Sequence, residues 1–134
     1  MAMVNLDPKN LPEPLLEFLT ERHLATLTIV KADHTPHLTP VGVTYEPDIA
    51  LARVITWADS WKAKHVASLG VAQVAVCTVD GGRWITLTGT ASVTNDADAV
   101  AEAVRRYTER YRAPKERDDR VVIEISVERV LGRA

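Results

Sequence analysis

Alternating hydrophobic and polar residues recur along most of the chain and predict a protein built mainly from β-strands. The runs are short, rich in β-branched residues, and separated by turn segments that contain Pro, Gly, Asn or Asp. Six segments have this pattern: residues 24–31, 37–45, 51–57, 71–79, 83–93 and 121–131. Most of the connections are tight turns, which favour antiparallel pairing because parallel strands need long crossovers.

Three other segments have helical spacing or helix-capping signals. They are residues 12–22, residues 60–70, and a longer segment from Asn95 or Asp96 to about Arg112. Asp59 or Ser60 can cap the second helix at its N-terminus, and Gly70 lies just past its end. Six antiparallel strands with peripheral short helices are expected to curl into a barrel, because closure removes exposed sheet edges. No repeat or linker interrupts the pattern, so residues 1–134 are expected to form a single domain.

The second predicted strand, residues 37–45, contains Pro40 and Gly42 in its interior. Both residues weaken regular strand pairing, and together they mark either a bulge or a place where a ligand approaches the backbone.

Composition excludes several classes of protein. The chain has 134 residues and a net charge of −2, which argues against a dedicated nucleic-acid-binding protein. The N-terminal residues lack the pattern of a signal peptide, and no apolar run approaches the ~20 residues needed to span a bilayer. Cys77 is the only cysteine, so no intrachain disulfide can form, and a small cytoplasmic protein is expected.

Several common catalytic and cofactor motifs are absent. No G-x-G-x-x-G or phosphate-loop motif follows a strand, which disfavours a doubly wound nucleotide-binding fold. No metal site is expected, because the four histidines are scattered and have no cysteine partner; they are His23, His34, His37 and His65. Cys77 lies in an apolar strand, where an inert thiol is the usual case, and no G-x-S-x-G motif is present.

The segment T-W-A-D-S-W-K, residues 56–62, is the main candidate for chemistry. Thr56 would end a strand and Ser60 would open a helix, so their hydroxyls and the first free N–H groups of the helix could converge on an anion. Lys62 lies in the first turn, where a cation opposes the helix dipole unless it pairs with an anion. Residue chemistry alone leaves two interpretations open: a capped, solvated helix start or a phosphate site.

The T-x-x-x-S-x-K spacing resembles the phosphate-binding segment of the flavin-binding split-barrel family, which includes pyridoxamine 5'-phosphate oxidases and coenzyme F420 (deazaflavin)-dependent reductases. The resemblance extends to L-A-T-L-T, P-H-L-T-P-V-G-V-T-Y-E-P, R-V-I-T and R-W-I-T-L-T-G-T-A, in that order. The chain is most similar to the small deazaflavin-dependent biliverdin reductases of that family. The resemblance implies a six-stranded antiparallel split β-barrel.

Departures from the oxidase pattern imply coenzyme F420 rather than FMN. FMN-binding oxidases carry Arg and Lys in the strand that corresponds to residues 37–45, whereas this strand has no cation. Trp61 occupies the position where the oxidases usually have Arg, and the C-terminus lacks their arginine-containing substrate motif. Two alternatives remain: an FMN-dependent oxidase of the same fold, and a non-catalytic protein that binds a deazaflavin or a tetrapyrrole.

The resemblance also implies roles for individual residues. The cofactor phosphate is expected against Thr56, Ser60, Lys62 and Lys64. The ring system is expected along Thr39, Pro40 and Val41, with Trp57 and Trp84 as candidates to wall it, although both could equally be ordinary core or interface aromatics.

The implied reaction is hydride transfer from the reduced deazaflavin to a conjugated acceptor, with biliverdin as the candidate substrate. No protein nucleophile is required. His37 is a candidate proton donor, although a solvated turn histidine is the alternative. Cations available for an acidic cofactor tail or for propionates are Lys31, Arg53, Arg105, Arg106, Arg110, Arg112 and Lys115. Family members are homodimers with cofactor sites at the subunit interface, so a homodimer is expected.

Overall fold

Short turns join most of the hydrophobic runs, and every strand pair they form is antiparallel. The structure, a computed structural model, describes residues 3–134, with side chains from residue 5 onward. Its strands are β1 (Met3–Leu6), β2 (Ala25–Val30), β3 (Pro36–Val41), β4 (Thr44–Glu46), β5 (Leu51–Trp57), β6 (Ala72–Asp80), β7 (Arg83–Thr94) and β8 (Arg120–Arg133). Its helices are α1 (Glu13–Thr20), α2 (Trp61–Leu69) and α3 (Ala97–Arg110).

The strands form one sheet in the order β3-β2-β6-β7-β8-β5-β4. The long strand β8 pairs with β7 along one side and with β5 and then β1 along the other. The sheet edges are β3 and β4, which follow each other in the chain, so the opening of the curled sheet lies between them. The predicted mainly β, antiparallel split barrel with short helices is therefore confirmed.

The number of strands differs from the predicted six because the described residues contain eight. The strand predicted at residues 37–45 is divided into β3 and β4, and the irregularity expected from Pro40 and Gly42 is a complete break. Strand β1 was not predicted, because Met3–Leu6 is too short for its alternation to be recognised.

Gly42 lies at the strand break because two aromatic side chains, from α3 and from the residue just after it, occupy the space beside it. A Cβ atom at this position would lie 2.8 Å from the ring of Tyr107 and 3.0 Å from that of Tyr111. The Tyr111 hydroxyl accepts a hydrogen bond from the N–H of Val43 at 3.1 Å and donates one to the carbonyl of His23 at 2.7 Å. The glycine therefore allows α3 and the residue after it to dock on the break, where the sequence had indicated either a bulge or a close approach of a ligand.

The core fills the inner face of the sheet, and two helices close its ends. Helix α1 contributes Leu15 and Phe18 to the core, near the β8 residue Gly132. Helix α2 contributes Val66, near the other end of β7. The third helix, α3, packs on β5, β8 and β4. No helix within residues 3–134 is long and apolar enough to cross a membrane.

Candidate functional site

The junction between β5 and α2 is held by two buried hydroxyl groups. Thr56 Oγ1 donates a hydrogen bond to Ser60 Oγ at 2.9 Å, and Ser60 Oγ accepts a second bond from the N–H of Ala63 at 3.3 Å. Ser60 is therefore the N-cap of α2, one of the two positions predicted for it. Because these two hydroxyls bind each other, their first function is to fix the position of the helix start.

Lys62, in the first turn of α2, is half-buried, and burial lowers the pKa of its ammonium below the ordinary value. The Nζ atom lies 5.1 Å from the centre of the Trp57 ring. Among the side chains from residue 5 onward, no carboxylate lies within 4.0 Å of this ammonium. A desolvated cation without a counter-ion, beside an indole ring, is prepared to receive an anion.

Lys62 and Trp57 border an open cleft, here called the Trp57 cleft. Its inner part is a cavity of about 190 Å³. Pro40 and Val41 form one wall, and Thr56, Trp57 and Lys62 form another. A contiguous outer cavity of about 480 Å³ shares Trp57, Tyr107, Pro114 and Arg120 with it. Five of the nine predicted cofactor-binding residues therefore border a single cleft.

The outer part of the cleft is strongly basic. Its lining includes Arg112, Lys115, Arg117 and Arg120 and contains no acidic residue. Arg117 Nε donates a hydrogen bond to Asp119 at 2.8 Å. The Arg117 guanidinium also lies 5.0 Å from the centre of the Trp57 ring, the same ring that Lys62 contacts. The cleft can therefore accept a ligand with more than one negative charge.

Of the other cations considered for acidic ligands, four have structural partners. Arg53 forms an ion pair with Glu46 at 2.9 Å, and Arg106 pairs with the same carboxylate at 3.2 Å. Arg105 pairs with Glu102 and Glu109 on the surface of α3. Arg110 is buried and donates to backbone carbonyls. Only Arg112 and Lys115 of the expected set border the cleft.

Three of the predicted cofactor-binding residues lie elsewhere in this chain. Thr39 is opposite Leu27 on the inner face of β3 and is not among the residues that line the cleft. Lys64 is exposed, with its ammonium 5.2 Å from the ring of Trp61. Trp84 is near the start of β7, roughly 30 Å along the strand from the end nearest the cleft, at about 3.3 Å per residue. The remaining member of the predicted set, Ser60, lies just behind Thr56.

His37 lies beside α2 rather than in the cleft. Its ring centre is 4.9 Å from that of His65, and His65 in turn stacks on Trp61 at 5.9 Å. Burial is the main cause that lowers the pKa of His37, and the charges of His65, Lys31 and Lys62 act in the same direction. A neutral imidazole is thus favoured at neutral pH, so His37 carries little proton to donate unless a ligand brings a negative charge close to it.

The structure brings one histidine together with acidic groups that the sequence did not associate with it. His23 Nε2 lies 3.0 Å from Glu21 and 3.9 Å from Asp80. Arg83 bridges the two carboxylates at 3.0 and 2.6 Å, and its hydrogen bond lowers the pKa of Glu21 to about 2. Because Arg83 holds both carboxylates, the group serves to join the end of α1 to the β6–β7 hairpin.

Sequence reasoning missed several residues of the cleft, chiefly Tyr107, Pro114 and Arg120. Tyr107 lies within the helix predicted to end at about Arg112, and nothing in its spacing indicates a cleft. Arg120 faces Trp57 because β8 pairs with β5 in the register Trp57 to Arg120. The only signal in the sequence was the density of cations in A-P-K-E-R-D-D-R, which could not indicate which strand they would face.

The chain is thus an antiparallel split barrel with a basic cleft at a strand-to-helix junction. A family model described as pyridoxamine 5'-phosphate oxidase matches residues 11–134. The chain therefore belongs to the pyridoxamine 5'-phosphate oxidase family.

One relative in sequence and two solved structures resemble this chain over most of its length. The chain is 48% identical over 134 residues to a protein of Mycobacterium tuberculosis (strain CDC 1551 / Oshkosh) named F420H(2)-dependent biliverdin reductase, covering 100% of this chain and 96% of the relative. A crystal structure of a conserved hypothetical protein from Mycobacterium tuberculosis has a TM-score of 0.72 at 21% identity, covering 90% of this chain and 83% of that one. A structure named F420 reductase has a TM-score of 0.70 at 19% identity, covering 90% of this chain and 98% of that one. The two structural likenesses establish the fold alone.

Proposed function

We propose that this protein is a coenzyme F420-dependent oxidoreductase that transfers a hydride from the reduced deazaflavin to a conjugated acceptor, with biliverdin as the candidate substrate. The observation that carries the proposal is the Trp57 cleft, in which a half-buried Lys62 without a carboxylate partner lies beside an indole and opposite Pro40 and Val41. The full-length relationship at 48% identity to a protein named for this activity supports it further.

The residues of the cleft fit such a cofactor by their chemistry. Lys62 and the adjacent start of α2 offer a cation and free N–H groups to a phosphate, as helix N-termini commonly do. Arg112, Lys115 and Arg120 offer further cations to carboxylates on the cofactor or the acceptor. Strand β3 and the break after it contribute no cation, which favours a ring system that is held by apolar walls.

The reduced deazaflavin, when bound, supplies the hydride. The protein's contribution is to bind, orient and exclude water. Trp57 and Tyr107 provide aromatic surface in the cleft, and Pro40 presents a backbone without an N–H that would need a partner. His37, near Lys62, remains our candidate for holding a proton, because an acidic ligand nearby would raise its pKa.

A homodimer with the cofactor site at the subunit interface is part of the proposal. The outer face of β2, β6 and β7 carries small uncharged side chains, among them Thr28, Ala75 and Thr88, around a hollow of about 400 Å³ that is also lined by Glu128 and Arg129 of β8. Leu38 on the neighbouring strand is 62% exposed. Pro40 lies on the edge of this face, opposite Thr26, and also borders the cleft, so a second copy on this face would complete the cleft. The cytoplasmic location expected from the sequence stays a prediction.

Replacing Ala75 with Glu places a charge in the middle of this face and is expected to shift the protein from dimer to monomer in sedimentation equilibrium. The reason is that an unpaired carboxylate is costly to bury in an interface. The matched control is Ala67→Glu, on the exposed side of α2. A wild-type protein that sediments as a monomer of 14.8 kDa would contradict the dimer.

Binding and turnover test the proposed function directly. We expect coenzyme F420 to bind at micromolar concentration or below in a fluorescence titration, and FMN to bind more weakly. Adding biliverdin to the protein with reduced F420 should then bleach and shift the visible band of biliverdin at a rate proportional to protein. Tight binding of FMN alone would favour an oxidase. F420 binding without turnover of biliverdin or another conjugated acceptor would favour a carrier protein.

A further inference from the structure

Two charged residues of β8, Glu128 and Arg129, border the hollow of about 400 Å³ on the outer face of the sheet. The register of β8 passes from Val127 to Arg129 within one step of β7, so Glu128 is the extra residue of a β-bulge. Consecutive residues of a regular strand point to opposite faces of a sheet. The bulge instead brings both charged side chains to the same hollow.

The charges of Glu128 and Arg129 are exposed to solvent. Among the side chains from residue 5 onward, neither charge lies within 4.0 Å of a group of opposite sign, and the two do not pair with each other. Water solvates both charges as long as this face is open, so they cost the single chain little. Both are therefore available to a partner that covers the face.

The outward-facing residues around the hollow are uncharged. Alternate positions from 26 to 30 on β2 and from 73 to 77 on β6 are Thr, Val, Gln, Ala or Cys. Those from 86 to 90 on β7 are Thr, and those from 36 to 40 on the edge strand β3 are Pro or Leu. In a twofold dimer the same patch of each copy forms the interface. Within this patch, the partners that a second copy offers to the two charges are its own residues 128 and 129.

The register of the sheet allows the two copies to meet in this way. A row of successive cross-strand partners runs across β2, β6, β7 and β8, and its members are Thr28, Ala75, Thr88 and Arg129. A twofold axis parallel to this row, crossing β8 between residues 128 and 129, reverses the strand direction and places residue 128 of one copy over residue 129 of the other. Packed sheet faces lie about 10 Å apart, a distance that the side chains of Glu and Arg together can bridge.

Covering the face removes both charges from water, which is unfavourable unless each charge has a partner. Two adjacent charges of opposite sign meet this requirement by themselves, because a twofold axis matches every contact from residue i to residue j with one from j to i. We propose that Glu128 of each copy forms an ion pair with Arg129 of the partner subunit, and that the twofold axis passes beside the β7–β8 bulge. The two pairs fix the register of otherwise uncharged faces, as complementary charges do in interfaces. This inference rests on the proposed homodimer and not on the reductase activity.

Charge reversal tests the pairing. Glu128→Arg leaves two cations at the bulge, and Arg129→Glu leaves two carboxylates. Each variant alone should dissociate, with a dissociation constant raised about 100-fold or more, because like charges then face each other across the axis. An equal mixture of the two variants should form a heterodimer whose affinity is within about tenfold of the wild-type dimer, because every cation again meets a carboxylate. Sedimentation equilibrium measures association, and subunit exchange between fluorescently labelled copies measures the dissociation rate of a dimer too tight to dilute apart.

The matched control is Glu17→Arg on the exposed side of α1, which changes the net charge as Glu128→Arg does. It should remain a homodimer and should not form a heterodimer with Arg129→Glu. Urea denaturation should show that the reversals at the bulge keep the fold, since both residues are exposed in the single chain. A wild-type protein that is a monomer would overturn the dimer and this pairing together. A wild-type dimer whose single reversals associate as tightly as the wild type, or whose mixed variants fail to associate, would overturn the pairing alone. Binding of F420 is measured separately, so a failure of the proposed activity is distinguished from both outcomes.

Discussion

A Lys62→Met variant is expected to bind coenzyme F420 roughly 10- to 150-fold more weakly than the wild type, with little loss of stability. The substitution removes the half-buried ammonium of the Trp57 cleft but keeps a chain of similar length against the Trp57 ring. Losing one charge-assisted contact to a phosphate costs about 1.5–3 kcal/mol, which corresponds to that range of dissociation constants. A fluorescence titration with F420 gives the affinity, and urea denaturation shows that the fold is kept.

The matched control is Lys64→Met on the same helix. The ammonium of Lys64 lies over Trp61, outside the cleft, so its loss should change the affinity for F420 less than threefold.

A second experiment measures the affinity for F420 as a function of pH. Burial lowers the pKa of Lys62 in the free protein, and a bound phosphate would raise it. The wild-type affinity should therefore be greatest where Lys62 is protonated and should fall as the pH rises through its lowered pKa, whereas the variant should lack this dependence. Equal affinities for the two lysine variants would show that the phosphate is bound elsewhere.

Replacing Gly89 with alanine is expected to lower the free energy of unfolding by roughly 3 kcal/mol, at the upper end of the cost of overpacking. Gly89 lies at the bulge where the register between β7 and β8 shifts by one residue. A Cβ atom there would overlap the backbone carbonyl oxygen of Ser126. Because the obstacle is backbone, β8 would have to move as a whole, and β8 is the strand that carries Arg120 into the cleft. Urea denaturation with linear extrapolation measures the loss.

Gly82→Ala in the β6–β7 turn provides the comparison, because nothing lies within 4 Å of the added methyl group and the backbone φ is not positive. Gly82→Ala should change the free energy of unfolding by no more than about 0.5 kcal/mol, as ordinary surface substitutions do. A Gly89→Ala variant as stable as Gly82→Ala would contradict the prediction, because it would mean that β7 and β8 can separate locally without cost.

The parts of the structure that were predicted from the sequence are those fixed by local chemistry. The alternating runs placed the strands to within a few residues, and the β5 segment 51–57 coincides with the observed strand. The spacing of Thr56, Ser60 and Lys62 located the cleft, because a strand end and a helix cap lie next to each other in the chain. The N-cap role of Ser60 follows from the same local rule.

What the sequence left undetermined depends on contacts between distant residues. The arginines of α3 were considered for acidic ligands, but Arg106 pairs with Glu46, and Arg110 donates to the carbonyls of Glu21 and Val43. Similarly, the space beside Gly42 is occupied by Tyr107 of α3 and by Tyr111 just after that helix. A resemblance could suggest that Trp84 walls a ring, but only the strand register revealed that it lies at the far end of β7 from this chain's own cleft.

The geometry at the start of α2 predicts that the number of residues between Ser60 and Lys62 cannot change. Four successive residues there lie in three environments: Trp61 and Lys64 are exposed, Lys62 borders the cleft, and Ala63 is buried. Successive residues of a helix are rotated by about 100°. Inserting or deleting a single residue between Ser60 and Lys62 would therefore turn the ammonium out of the cleft and move either the indole or a core methyl group into its place. In an alignment of related chains, gaps should therefore avoid this segment.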